Sequence, residues 1–353
     1  MSSRAPFART HAVLAIILAA TVVAAAGIGA YAFAPDRMVR LLAEGAGWLP
    51  RVPADALDRS VFLQLRLPRV VLAGLTGAVL AVCGTVMQGL FRNPIVEPGL
   101  VGTSAGAAFG AALVFVLGVP IFAPGGALGA FALPFCAFLG ALGATWLTFR
   151  MASAFGRVNV FTLLLAGIAV NALCGAGTGF MSYVARDPQA RNITFWSLGT
   201  FTTANWRGVG LLAAAFAIGF AGVVREARGL NALMLGEDEV ASLGVDPAAL
   251  TRRLLVLNTL MVAVATSMVG VIAFVGLVVP HVLRLTRSSN YAFLIPASAL
   301  LGAAFAEVVD VAARLVIRPA ELPIGILTAV VGAPVFLAIL LHAQRAGDPG
   351  AHG

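Results

Sequence analysis

Three charged residues within one apolar segment have a spacing that could support chemistry. Glu307, Asp310 and Arg314 stand at positions i, i+3 and i+7, so a helix would carry all three on one face. Charges inside a membrane are costly, and they usually mark an ion or proton pathway or a buried pair. Two acids on one face could serve a transporter driven by an ion gradient. Asp310 and Arg314, four residues apart, could instead satisfy each other.

A second polar group lies in residues 225–253, the long charged interruption between two apolar blocks. Three consecutive acids, residues 237–239, follow Gly236, and Gly244 comes soon after them. No His, Cys or Ser–base pair accompanies these acids, so the segment shows no catalytic arrangement. A short polar helix between two glycines suits the docking of a partner protein. The alternative is a capped helix in a solvated loop.

The composition indicates a membrane protein. The chain has 353 residues, of which 60% are hydrophobic and 11% charged, and its mean hydropathy is +0.97. Soluble domains carry about a quarter charged residues, so the chain is not an ordinary soluble globule. Its long apolar runs lack the two-residue alternation of a β-barrel. We therefore expect an all-α polytopic fold with about ten spans of roughly 20 residues each.

Charge and cysteine content exclude several other classes. The net charge is +8 and every basic side chain is arginine, but no basic patch interleaved with aromatics indicates nucleic-acid binding. The cysteines Cys83, Cys136 and Cys174 lie in apolar runs, and their spacing fits neither a disulfide framework nor a metal site. Without lysine the chain cannot form a G-x-x-x-x-G-K-[ST] nucleotide loop, and it contains no motif of an intramembrane hydrolase. We expect no enzyme activity and no cofactor bound by this chain.

The spans must position these residues. One span contains Gly74, Gly77 and Gly84, whose small size suits close helix packing. Residues 35–69 read as a first outer loop, and residues 185–199 are too polar to span. The other nine spans are predicted at about 12–33, 101–118, 127–149, 159–184, 208–224, 254–271, 273–286, 292–315 and 323–343, the 273–286 span being broken at Gly276 and Pro280. Ten spans from a cytoplasmic N-terminus place both termini in the cytoplasm.

Short motifs in a fixed order carry a family resemblance. They are Arg66-Leu67-Pro68-Arg69, Gly84-x-x-Met87-Gln88, Asn93-Pro94-x-x-Glu97-Pro98-Gly99, Leu235-Gly236 through Ser242-Leu243-Gly244, Phe274-x-Gly276-Leu277-x-x-Pro280-His281, Glu321-Leu322-Pro323-Ile324-Gly325 and Gly332-Ala333-Pro334-Val335-Phe336. Each motif alone is weakly specific, but the ordered set covers nearly the whole chain. In this set the chain resembles the permease subunits of bacterial ABC importers for vitamin B12, iron–siderophores and haem.

The resemblance implies the type II ABC importer fold, with residues 1–353 forming one transmembrane domain and residues 225–253 a cytoplasmic coupling loop. It implies an inner-membrane homodimer, two ATPase subunits that bind ATP and Mg²⁺ themselves, and a periplasmic substrate-binding protein, all surrounded by membrane lipid. Coupling to the ATPase is assigned to one short segment: Leu235, Gly236, Glu237, Asp238, Glu239, Ala241, Ser242, Leu243 and Gly244.

The resemblance also assigns the periplasmic side. Arg66, Arg69 and Arg314 would meet glutamates of the binding protein, and bidentate arginine–carboxylate geometry suits such docking. Met87 and Gln88 would lie near the pathway between the subunits. The polar segment 185–199 would form a short helix at the outer gate. Its residues Arg191, Phe195 and Trp196 would belong to the substrate path.

Haem is the predicted cargo, carried from periplasm to cytoplasm. The form Arg-Asn-Ile-Thr-Phe-Trp at residues 191–196 looks most like the haem importers. Iron–siderophores and cobalamin are the alternatives, and a transporter driven by an ion gradient is a more distant one. His281 follows Pro280 at the inner end of its span, and the same dipeptide occurs in family members that carry no haem. We therefore interpret it as structural rather than as a haem ligand.

Overall fold

Helices make up nearly all of the fold. The computed structural model describes residues 4–29, 31–118, 129–154 and 157–347. Among these, two short antiparallel strands stand apart, β1 (Ser153–Ala154) and β2 (Arg157–Val158). The α-helices are α1 (Arg4–Gly27), α2 (Pro35–Gly45), α3 (Ala56–Ser60), α4 (Leu67–Leu90), α5 (Thr103–Leu117), α6 (Gly129–Ala152), α7 (Val160–Val184), α8 (Gln189–Ser197), α9 (Trp206–Arg225), α10 (Ala227–Leu233), α11 (Glu237–Ser242), α12 (Pro247–Val269), α13 (Val275–Thr286), α14 (Tyr291–Leu315) and α15 (Ile324–Gly347).

The helices agree with the predicted spans. Seven helical segments are long and apolar enough to cross a membrane: Phe7–Gly27, Pro53–Leu90, Phe131–Ala152, Val160–Val184, Trp206–Arg225, Pro247–Val269 and Tyr291–Leu315. Three shorter apolar helices are Thr103–Leu117, Val275–Thr286 and Ile324–Ala338. Together they account for the ten spans, and the all-α polytopic class is confirmed.

Helix α4 lies at the centre of the bundle, with nearly all its residues buried. It packs against α14 where Gly77 meets Gly302, and a Cβ on either glycine would overlap the carbonyl oxygen of the other. Gly84 meets the carbonyl of Gly276 in α13 in the same way. Absent side chains let the helix backbones touch, so these glycines set the positions of α13 and α14 around α4.

The bundle has two distinct ends. Arg69 of α4 meets Asp310 of α14 at one end, which we call the rim end. At the opposite end of the same helices, Gly89 lies against the Tyr291 ring. The Asn231 side chain accepts a hydrogen bond from the Tyr291 backbone N–H at 2.9 Å. Helix α10, and α11 after it, therefore lie at this second end, which we call the loop end.

Residues 35–69 are not the loop that their charge suggested. They form α2 and α3, and a segment with π-type hydrogen bonds over Val61–Arg66 leads directly into α4. Helix α2 buries Met38 and Leu41 on one face. Arg37 of α2 pairs with Asp55, further along the same segment, at 2.7 Å. Three arginines of this segment serve such local ion pairs with its acids: Arg37, Arg40 and Arg59.

The break near α13 also lies elsewhere than predicted. Helix α13 is continuous through Pro280, and the chain leaves helical geometry between Val269 and Val275. Gly270 (φ 78°) and Phe274 (φ 68°) adopt left-handed backbone conformations there. A Cβ at Gly270 would overlap the Trp196 carbonyl oxygen. The turn therefore requires glycine both for its φ angle and for the approach of α8.

Candidate functional site

An ion-pair cluster occupies the rim end. The Asp310 side chain is only 2% exposed and accepts hydrogen bonds from Arg69 at Nε (3.0 Å) and Nη2 (2.8 Å). Its second oxygen lies 3.1 Å from Nε of Arg314, so the pairing suggested by their spacing is confirmed. Nη1 of Arg69 also donates to both Glu321 oxygens, at 2.9 and 2.8 Å. This cluster ties α4 to α14 and to the segment that precedes α15.

Two arginines of the rim end cap the C-terminus of α1. Arg66 donates from Nη1 to the carbonyls of Ala26 (3.1 Å) and Gly27 (3.2 Å). Arg314 donates to the carbonyls of Ala25 (3.1 Å) and Ile28 (2.9 Å). The last carbonyls of a helix lack partners within it and carry partial negative charge. The guanidinium groups therefore satisfy these oxygens both as hydrogen-bond donors and as positive charges.

These contacts qualify the prediction that Arg66, Arg69 and Arg314 face a binding protein. All three lie at the same end of the bundle, as expected. In this conformation, however, their guanidinium groups are mostly buried and have partners within the chain. Glu321, which the prediction did not include, already holds Arg69. Docking at these arginines remains a prediction, and it would have to compete with contacts that the chain makes itself.

Helix α8 exposes two of the three predicted gate residues, Arg191 and Phe195, and buries the third, Trp196. Ile193 and Trp196, three residues apart, point inward, and the Trp196 side chain is only 8% exposed. Arg191 and Phe195, four residues apart, lie on the exposed side, with the guanidinium 5.3 Å from the ring centroid. Trp196 therefore faces the bundle in this protomer, and its place on the substrate path stays a prediction. It packs with alanines of α5, α6 and α12, because the helix needs an apolar face against the bundle.

Met87 and Gln88 lie inside the protomer and are almost fully buried; their place near the pathway between the subunits stays a prediction. Both side chains are buried because α4, which carries them, lies at the centre of the bundle. Gln88 connects α4 to α13, because its Nε2 donates a hydrogen bond to the Gly276 carbonyl at 3.1 Å. Pro280, four residues later, has no N–H to offer that oxygen. Nη1 of Arg284 donates to the Gln88 Oε1. The Gln88 amide therefore bonds to α13 at two positions, Gly276 and Arg284.

The coupling segment forms a short helix between glycines, as predicted. Helix α11 follows Gly236 (φ 152°) and is succeeded by Gly244 (φ 74°). Its three acids lie in the first turn, where negative charge complements the helix dipole. Val240 is fully buried and fixes the helix to the bundle, whereas Leu235 is 80% exposed. Docking of a protein partner at this acidic helix end stays a prediction.

Asn231 links the coupling segment to the bundle, and the sequence had not identified it. It accepts from the Tyr291 N–H, and its Nδ2 donates to the Asn290 side chain at 3.1 Å. Both partners stand at the start of α14, which packs along α4. The sequence gives no signal for such a role, because the partners of Asn231 are about 60 residues away.

Comparisons with known proteins agree with this arrangement. A family model described as the FecCD transport family matches residues 16–342. The hemin transport system permease protein HmuU of Yersinia pestis is 41% identical over 291 residues, which cover 81% of this chain and 85% of the relative. The vitamin B12 import system permease protein BtuC of Klebsiella pneumoniae is 38% identical over 308 residues, covering 87% of this chain and 90% of the relative.

A solved structure shows the same architecture. It is an inward-facing conformation of a metal-chelate type ABC transporter, and the two chains superpose with a TM-score of 0.81 at 30% sequence identity. The match covers 95% of this chain and 99% of the solved one. The overall arrangement of the bundle is therefore one that a related transporter adopts.

Proposed function

Because the chain belongs to the FecCD transport family and is the permease subunit of a type II ABC importer, we propose that its cargo is haem. In this proposal haem passes from the periplasm to the cytoplasm, and a separate ATPase subunit supplies the energy. Iron–siderophores and cobalamin are the alternative cargoes. The exposed Arg191–Phe195 pair on α8 is the observation that carries the choice of haem.

The proposed assembly contains two copies of the chain, two ATPase subunits and one periplasmic binding protein. Helix α7 supports the pairing of two copies, because it is the least covered of the long spans after α1 and exposes large apolar side chains along its length. The loop end would face the cytoplasm and the ATPase, and the rim end would face the periplasm. Ten spans then place both termini in the cytoplasm.

Haem suits the α8 surface chemically. Its two propionates are carboxylates, and its porphyrin face is large and apolar. In a homodimer the two copies of Arg191 would offer two cations for the two propionates. Phe195, exposed beside Arg191, would cover part of the porphyrin face. Cobalamin lacks such a pair of carboxylates, so the pair of cations distinguishes between the cargoes.

Arg191→Ala is expected to lower haem uptake roughly tenfold, because a charge-assisted hydrogen bond contributes about 1.5–3 kcal/mol. Uptake would be measured in vesicles that contain the permease, its ATPase and the haem-loaded binding protein. Arg186→Ala is the matched control, since it removes an exposed arginine from the same segment just before α8.

Two results would oppose the proposal at different levels. Undiminished haem uptake by the Arg191→Ala permease removes Arg191 from the substrate path. Uptake of cobalamin or a ferric siderophore by the unaltered complex, with none of haem, refutes the cargo itself. ATPase activity should stay intact in both variants, because neither arginine lies near the loop end.

Coupling to the ATPase is proposed for the segment from Leu235 to Gly244. Gly244→Leu is expected to abolish transport and ATPase stimulation while the permease stays folded. The physical reason is that a Cβ at Gly244 meets nothing within 4 Å in this chain, so a larger side chain would obstruct only a partner. Assembly with the ATPase on a sizing column and ATP hydrolysis by the purified complex are the measurements.

Gly47→Leu is the control for backbone strain. Gly47 also has a positive φ, 78° against 74° at Gly244, and also has open space around it, but it lies near the rim end. Any cost of a left-handed leucine is therefore shared by both variants. Normal transport by the Gly244→Leu permease would rule out the coupling role, as would equal losses in the two variants.

A further inference from the structure

A cavity of about 570 Å³ opens at the rim end beside the ion-pair cluster. Its lining includes Arg66, Arg69, Arg314, Arg318 and Glu321. Four of these residues are arginines. Asp310 and Glu321 are the carboxylates that pair with them among the described residues. The site therefore keeps an excess of positive charge, which suits an acidic ligand.

The two carboxylates differ in their access to water. Asp310 is buried, as described above, and is shared by Arg69 and Arg314. The Glu321 side chain is 37% exposed and reaches Arg69 from the mouth of the cavity. An exposed carboxylate regains water when its ion pair breaks, whereas a buried one does not, so the Glu321 pair separates more easily than the Asp310 pair. Glu321 can therefore leave Arg69 while Asp310 keeps the guanidinium in place.

The segment that carries Glu321 is bonded to the end of α8. Four residues after Glu321, the Gly325 N–H donates to the Leu198 carbonyl at 2.8 Å. The Ile324 N–H donates to the Gly199 carbonyl at 3.1 Å. Leu198 and Gly199 directly follow the last residue of α8. A displacement of Glu321 would therefore be transmitted to the end of α8 through four residues of backbone and these two hydrogen bonds.

We propose that Glu321 occupies Arg69 in the undocked permease and that an acidic side chain of the binding protein takes its place on docking. The release of Glu321 frees residues 321–325 to shift, and the shift moves the end of α8. The inference rests on the proposed docking of a binding protein at the rim end. It adds Glu321 as a residue of the chain itself that competes with the binding protein for Arg69. It also adds a mechanical link from docking to α8.

Glu321→Gln tests the competition, because it removes the charge and preserves the size of the side chain. Affinity for the loaded binding protein would be measured with the permease–ATPase complex in lipid nanodiscs, at low and at physiological salt. We expect the variant to dock about two- to fivefold more tightly, with the larger gain at low salt, where charges are screened less. Glu226→Gln is the matched control, since Glu226 pairs with Arg253 at 2.8 Å at the loop end.

Amide hydrogen exchange tests the link to α8. The Gly325 amide and the α8 peptide should exchange faster in the Glu321→Gln permease and in the unaltered permease with binding protein docked. Unchanged or weaker docking of Glu321→Gln overturns the competition, and unchanged exchange overturns the link. Arg69→Glu separates these failures from a failure of the proposed docking site. If Arg69→Glu docks as tightly as the unaltered protein, the binding protein does not use this arginine.

Discussion

An Asp310→Asn permease is expected to yield little folded protein after extraction from the membrane. The substitution removes the buried carboxylate that Arg69 and Arg314 share. Among the described residues, Arg69 would keep only Glu321 as an acidic partner, and Arg314 only backbone carbonyls such as those at the end of α1. Removing one partner of a buried ion pair costs about 3–5 kcal/mol. That is a large part of the roughly 5–15 kcal/mol by which folded domains are stable. The measurements are the yield of monodisperse protein and its melting temperature.

Glu226→Gln serves as the control for removing a charge. Its partner Arg253 is 55% exposed, so the pair contributes at most about 1 kcal/mol. The control should melt close to the unaltered permease. Equal melting temperatures for Asp310→Asn and the unaltered permease would show that the rim cluster does not hold the bundle together.

Gly84→Ala is expected to destabilise the permease by about 3 kcal/mol, at the upper end of the cost of overpacking. The added methyl group would overlap the carbonyl oxygen of Gly276. Because this neighbour is backbone, no change of rotamer can make room, and α13 must move away from α4. The shift would also stretch the bond from Gln88 to the Gly276 carbonyl, so transport should fall along with the melting temperature.

The opposite sign is expected for Gly143→Ala in α6. A Cβ there meets nothing within 4 Å, and alanine favours a helix by up to about 1 kcal/mol over glycine. The two variants make the same chemical change in two long helices, so they isolate the contact with α13. If Gly84→Ala were as stable as Gly143→Ala, the close packing of α4 on α13 would be refuted.

The spans could be predicted because their signal is local. Most apolar runs are bounded by charged or turn-forming residues, and most helix ends lie within a few residues of them. The exceptions are α1, which covers Arg4–Gly27 against a predicted 12–33, and the start of α12, at Pro247 against a predicted 254. Helix α2 was missed because its many charges read as a loop. The buried pair Met38 and Leu41, three residues apart, was a weak helical signal within it.

The rim end was harder to predict because its partners are distant in sequence. Arg69 and Asp310 are 241 residues apart, and Arg66 bonds to backbone carbonyls, which no side-chain pattern reveals. Resemblance to a family placed Arg66, Arg69 and Arg314 at one surface. It could not show that Glu321 and the end of α1 already occupy them.

The break before α13 was not predicted from the sequence, for a different reason. Residues 270–274 are apolar apart from one glycine, so composition gives no sign that the helix stops there. At Pro280 a break was predicted that does not occur, because a proline normally interrupts a helix. Here the Gln88 amide, from α4, satisfies the carbonyl that Pro280 leaves free, and the helix continues.

The capping of α1 by two arginines has a consequence for biosynthesis. The Arg66 contact to Ala26 spans 40 residues, whereas the Arg314 contact to Ala25 spans 289. At about 5–20 residues per second, the ribosome delivers Arg66 within seconds of α1, but Arg314 only after about 15–60 seconds. During that interval Arg66 is the one of the two arginines that can shield these carbonyls, beside the Phe33 N–H that donates to Gly27. Arg66 therefore acts as the cap of the newly inserted helix, and Arg314 completes the cap when α14 arrives.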